Sequence, residues 1–90
     1  MEGLPKELSH FAGTDGRIAR LPVKLSRKLE LALWLLERLD PEATYSEAEL
    51  NAVFEQYVVD YALMRRMLVD LGHLERDRYG REYRRVAPTV

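Results

Sequence analysis

The chain has no cysteine, which excludes disulfides and zinc–thiolate sites. Histidine is scarce as well. His10 and His73 are the only two, and each falls at the end of a predicted element with no partnered nucleophile nearby. Glu47 and Glu49 stand two residues apart on a helix and so do not face one another. No metal-ligand spacing, glycine-rich phosphate loop or nucleophile motif is present. The expectation is therefore a non-enzyme, with no catalytic residues, metal ligands or cofactor.

Long apolar runs are also missing. The longest, Leu31–Leu36, is flanked by Glu30 and Glu37 and falls far short of the roughly 18 residues of a membrane span. The first residues lack the basic region and apolar stretch of a signal peptide, so a cytoplasmic protein without a membrane partner is expected. The strong basic excess of many nucleic-acid-binding domains is absent too: the formal net charge is −1. Charge is unevenly distributed, however. Residues 1–36 carry six basic and four acidic side chains, residues 37–60 one basic and seven acidic, and residues 61–90 seven basic and four acidic.

What is present reads as one small domain. Ninety residues suffice for a single modest core, which makes dimerisation a natural means of adding buried surface. Leu4, Leu8 and Phe11 recur at helical spacing behind Pro5, predicting a short N-terminal helix. Gly13-Thr14-Asp15-Gly16 is a turn, and Arg17–Leu21 alternates as a short strand closed by Pro22. From Val23 to Leu39 a helical stripe runs through Leu25, Leu29, Ala32, Leu36 and Leu39, widened by Leu33 and Leu35. Trp34 lies off the stripe centre, positioned for the N-terminal segment or a dimer partner. Asp40-Pro41 ends that helix.

Thr44-Tyr45 is extended. Ser46 with Glu49 forms a capping box, opening a helix to about Tyr57 that buries Leu50, Val53, Phe54 and Tyr57. Asp60 is a good N-cap for a third helix, Tyr61–Leu71. Its apolar face is Tyr61, Met64, Leu68 and Leu71, with Met67 on the shoulder. Arg66 lies opposite that face beside Ala62, Val69 and Asp70, and Arg65 sits on the border, where Glu47 or Glu55 could pair with it. Gly72 can take the left-handed conformation that closes a helix. Two strands about Gly80 follow. Cross-strand charge favours a three-residue loop, Arg78-Tyr79-Gly80, which sets Asp77 opposite Arg81 and Arg76 opposite Glu82.

The fold class is α+β and mostly helical. It is winged helix-turn-helix-like: a three-helix core over residues 23–86 with a C-terminal β-hairpin wing, preceded by a helix and strand extension at 1–22 and followed by a flexible tail at 87–90. In such folds the second helix of the helix-turn-helix pair enters the major groove and the wing touches backbone. Two readings stay open. One is weak binding of duplex DNA through Arg66, Ala62, Arg78, Arg84 and Arg85, with Arg76 and Arg81 occupied by cross-strand pairs. The other is a homodimerisation module, or a module binding a transcription-related protein, that uses Trp34, Tyr79 and Tyr83 without touching nucleic acid. Ser46, Glu49, Asp60 and Arg65 are expected to form a structural polar cluster. Between His73 and Val86, five arginines face three acids, a surplus of two.

The sequence resembles a bacterial family catalogued as a domain of unknown function, number 2087. The residues that carry the resemblance begin with Phe11, Asp15-Gly16-Arg17-Ile18, Leu21-Pro22 and Lys24. They continue through Tyr45-Ser46-Glu47, Glu49-Leu50-Asn51, Asp60-Tyr61-Ala62, Arg65-Arg66 and Leu68-Val69-Asp70. They close with Gly72, Leu74, Arg76, Gly80 and Tyr83. Leu21 departs from the tryptophan that the family more often places before the proline. The resemblance covers about residues 11–85 and implies a bacterial, winged-helix-like protein associated with transcriptional control, standing alone or fused to helix-turn-helix regulators. It assigns no catalytic residue.

Overall fold

In the computed structural model, which describes residues 3–86, three α-helices, a 3-10 helix and three short strands follow one another in sequence. The 3-10 helix is Lys6–Phe11, α1 is Leu25–Leu36, β1 is Thr44–Ser46, α2 is Glu47–Glu55, α3 is Tyr61–Asp70, β2 is Leu74–Arg76 and β3 is Glu82–Arg85. The fold is thus α+β, with one antiparallel sheet in the order β1-β3-β2. The expected tail at 87–90 lies outside the described residues. No helix among them is long and apolar enough to cross a membrane.

Local chemistry sets most boundaries. Ser46 ends β1 and caps α2: its hydroxyl accepts the Glu49 amide at 3.1 Å, and its own amide donates to Glu49 Oε1 at 2.9 Å. The Ser46 amide, and after it the Ser46 hydroxyl, hold the Glu49 carboxyl below the ordinary glutamate range. Asp60 caps α3 by accepting the Leu63 amide. Gly72, at φ 82°, turns the chain out of α3 in the left-handed region that side chains avoid. The His73 amide then donates back to the Leu68 carbonyl at 2.8 Å.

The core collects Leu8, Ile18, Leu31, Ala32, Trp34, Leu35, Leu36, Leu39, Leu50, Phe54, Val58, Met64, Leu68, Leu74 and Tyr83. Two expectations are corrected by it: Leu25, placed on the buried stripe of α1, and Leu71, placed on the apolar face of α3, are 72 % and 51 % exposed. Trp34, positioned for the N-terminal segment or a dimer partner, is 5 % exposed. The first turn of α1 projects beyond its neighbours, whereas farther along the N-terminal segment covers the side that carries Trp34. Gly3 lies against the indole, and the Tyr57 ring meets it edge-on with centroids 5.1 Å apart.

The strand expected at Arg17–Leu21 shrinks to one bridging residue. The Ile18 amide donates to the Tyr57 carbonyl at 2.8 Å, and the Ile18 carbonyl accepts the Val59 amide at 2.9 Å. Arg17 adds a bond from Nη2 to the Val58 carbonyl at 3.2 Å. The N-terminal segment is thereby fastened to the connection between α2 and α3.

The hairpin register also differs from expectation. Leu74 pairs with Arg85, Glu75 with Arg84 and Arg76 with Tyr83, one residue away from the charge-matched alignment. Directly opposed residues share a face of the sheet. The charge-matched alignment would put Leu74 and Tyr83 on opposite faces, whereas the observed one buries both. Burying a large apolar side chain is worth about 1.5–3 kcal/mol, against some tenths for a cross-strand charge pair. Burial therefore decides the register. The loop closes with the Asp77 amide donating to the Glu82 carbonyl at 3.0 Å and the Gly80 amide to the Asp77 carbonyl at 3.1 Å.

Candidate nucleic-acid interface

The one-residue change of register redistributes the arginines. Arg84, expected to be free, is bound across the strands to Glu75, with Nη2 2.6 Å and Nε 2.8 Å from Oε2. Arg85, also expected to be free, turns inward and donates from Nη1 to the Leu39 carbonyl at 3.0 Å. Arg76 and Arg81, expected in cross-strand pairs, carry no ion pair among the described residues, because their intended partners Glu82 and Asp77 are no longer opposite them. Arg66 on α3 is exposed as expected, and Ala62 beside it is half-buried.

Arg65 pairs with Glu47, one of the two acids anticipated for it, at 2.9 Å, with only 17 % of its side chain exposed. It also donates to Asn51 Oδ1, a partner not anticipated, and its guanidinium lies 6.0 Å over the Tyr83 ring. Asn51 is one helical turn beyond Glu47 on α2, so its place on the Glu47 face was available from the 3.6-residue period. Ser46, Glu49 and Asp60 act locally as caps and do not join Arg65 in a cluster.

These side chains bound a cleft of about 240 Å³ between α2, α3 and the hairpin, lined by Glu47, Arg65, Arg66, Val69, Asp70, Arg76 and Tyr83. Arg66 and Arg76 reach it from two different elements, and neither is ion-paired to Asp70 there. A larger hollow of about 380 Å³ lies on the sheet among Thr44, Glu75, Arg76, Asp77, Glu82, Tyr83 and Arg84. Its charges are largely satisfied internally: Arg84 is held by Glu75, and Asp77 by the loop. The smaller cleft is the better candidate because two of its three cations, Arg66 and Arg76, are open, whereas Arg65 is held by Glu47.

Of the aromatic residues expected at an interface, Trp34 and Tyr83 are core residues, so neither is presented to a partner. Tyr79 alone is exposed, at the hairpin tip. Among the described residues no group of three or more His, Asp and Glu side chains could hold a metal ion.

Asp77 organises that tip. Its Oδ1 accepts the Arg81 amide at 2.6 Å and the Glu82 amide at 3.4 Å. The Arg81 amide, outweighing a small opposing effect of burial and aided by the Glu82 and Tyr79 amides and the Arg81 charge, holds the carboxyl below the ordinary aspartate range. Above the unfolded-state value both states carry the charge and the loop bonds are fully formed. As pH falls through the depressed folded-state value, protonation removes them. This contribution to stability is therefore present at neutral pH and lost in acid, below about pH 4. Asp77→Asn should flatten that acid-side fall in a series of urea midpoints taken at decreasing pH. Identical pH profiles for the two proteins would contradict this role.

The molecule is a small α+β protein with a polar cleft between α2, α3 and the hairpin that two open arginines, Arg66 and Arg76, border. The chain belongs to the family described as uncharacterized protein conserved in bacteria (DUF2087), which matches residues 17–85. Searches of curated proteins and of solved structures found no match.

Proposed function

We propose that this chain is a winged-helix-like domain that binds duplex DNA weakly, with α3 and the hairpin as its contact surface. The element order α1-β1-α2-α3-β2-β3 and the sheet order β1-β3-β2 support the fold reading. In that arrangement α2 and α3 form the helix-turn-helix pair and the β2–β3 hairpin is the wing. The observation that carries the function is the pair Arg66 and Arg76, which border one cleft from α3 and β2 without an ion-pair partner. Arg78 and Arg81 extend the cationic line to the hairpin tip. Arg84 and Arg85 are left out of the contact set. Asp70 in the same cleft opposes phosphate, which makes the expected affinity low and its salt dependence steep.

Fluorescence anisotropy with a labelled duplex at low salt tests the proposal. The double substitution Arg66→Ala with Arg76→Ala should weaken binding at least about tenfold and reduce the slope of log affinity against log salt by about two. Both side chains are exposed, so the variant should keep its melting temperature. No binding at low salt, or an unchanged slope, would overturn the proposal.

A second reading, a dimerisation or protein-binding module, draws on Val23 and Leu25, which are 92 % and 72 % exposed where α1 begins. A chain that fails to bind duplex and elutes at twice its mass would favour it.

A further inference from the structure

The hairpin tip carries a feature that duplex binding does not use. Tyr79 is 69 % exposed, whereas Tyr83 in the same hairpin is buried. The Arg78 and Arg81 guanidiniums lie 5.8 Å and 5.3 Å from the Tyr79 ring centroid. Both lie over the ring but farther out than Arg38 over Trp34, at 4.4 Å, and Tyr79 stays largely exposed beneath them.

The tip is also held in shape. Gly80 takes φ 68°, and its amide donates to the Asp77 carbonyl. The Asp77 carboxylate accepts the Arg81 and Glu82 amides, so its charge is engaged within the loop. Ordering entropy that a mobile loop would lose on binding is already lost on folding. A fixed, largely exposed aromatic ring with two cations loosely over it matches a π-surface that carries an anion on either side. A nucleobase in a strand, with its two flanking phosphates, has that chemistry.

We propose that the hairpin tip is a stacking platform for an unpaired nucleobase, with Tyr79 as the platform and Arg78 and Arg81 placed for the adjacent phosphates. This deepens the nucleic-acid reading above and rests on it for the class of partner. It adds a substrate preference: a strand with an accessible base, such as a single strand or a duplex with an overhang, over a duplex whose bases are all paired.

Three labelled probes test it with the full chain at low salt: a short single strand, a duplex with a single-stranded overhang, and a fully paired duplex whose two ends are closed by linkers that carry no base. Tyr79→Ala should weaken the first two about tenfold, within the range for losing one stacked base, and leave the closed duplex within twofold. Tyr79→Phe, which keeps the ring, should stay within twofold on every probe. Tyr79 is exposed, so the melting temperatures of both variants should match the parent. Loss of less than twofold for Tyr79→Ala on the single-stranded probes overturns the stacking role, and so does a Tyr79→Phe loss equal to that of alanine. The two proposals fail separately. Closed-duplex binding that depends on Arg66 and Arg76 but is silent to Tyr79→Ala on all probes retains the duplex reading and removes the platform. Tyr79-dependent binding of single strands with no binding of closed duplex does the reverse, and absence of binding to every probe overturns both.

Discussion

Phe54→Ala is expected to destabilise the protein by about 3–5 kcal/mol, the range for emptying a buried phenylalanine site. Phe54 is the largest of the fully buried side chains and sits near the end of α2, the helix that packs on α3, β1 and β3. The Phe54 carbonyl also accepts the Tyr57 and Val58 amides, both at 3.0 Å. Those backbone bonds survive the substitution, so the loss is that of side-chain packing. A domain of this length has a total stability of roughly 5–15 kcal/mol, so the substitution removes a large share of it. With a urea slope of about 1–1.5 kcal/mol per molar, appropriate to a small domain, the midpoint should fall by about 2–5 M. Phe54→Leu keeps most of the volume and should cost less than half as much. A midpoint shift for Phe54→Ala no larger than that for Phe54→Leu would mean that the site collapses around the vacancy.

The contrast between what was and was not legible in the sequence follows from range. Ser46, Glu49, Asp60 and Gly72 were readable because capping is decided within three or four residues of chain. The starts of α2 and α3 followed from them, and the outward position of Arg66 from the helical period. The buried surface of α1 was only half readable. A single helical period reports one buried face, but α1 is covered on more than one side, which brings Trp34 into the core while Leu25 projects from the end. The contacts of Arg17 with Val58 and of Arg85 with Leu39 span 41 and 46 residues of chain, and no local pattern encodes them.

The hairpin register is a different kind of case, because the information was present but weighed wrongly. Charge pairing favoured one alignment by tenths of a kcal/mol, whereas the need to bury Leu74 and Tyr83 together favoured the other by more. That one-residue difference decides which cations are available: Arg76 and Arg81 instead of Arg84 and Arg85. The candidate site was thus legible as a region, α3 and the hairpin, and partly wrong as a set of side chains.

Removal of residues 1–22 is expected to leave a chain without a cooperative fold. Read along the sequence, these residues form an extension preceding a domain that begins at Val23. In the structure Leu8 and Ile18 are fully buried members of the same core as Phe54 and Leu68, and Leu4, Phe11 and Leu21 pack against it. Losing a Leu or Ile site by truncation to alanine costs about 2–5 kcal/mol each. Loss of the whole segment removes two such sites and exposes Trp34 and Val58 behind them. It also leaves the Tyr57 carbonyl and Val59 amide without the Ile18 bonds that hold the turn between α2 and α3. These terms together match or exceed the stability of a domain this small. Fragment 23–90 should show no sigmoidal thermal transition, and the emission of Trp34, the only tryptophan, should shift to the wavelength of a solvent-exposed indole. Cooperative melting within a few degrees of the full chain would show that the first 22 residues are an accessory. Their loss should also abolish any nucleic-acid binding by disordering α3, so the binding variants are to be compared in the full chain. A clamp that fixes the angle between α2 and α3 from the N-terminal side gives residues 17 and 18 a direct bearing on the cleft, although neither lines it.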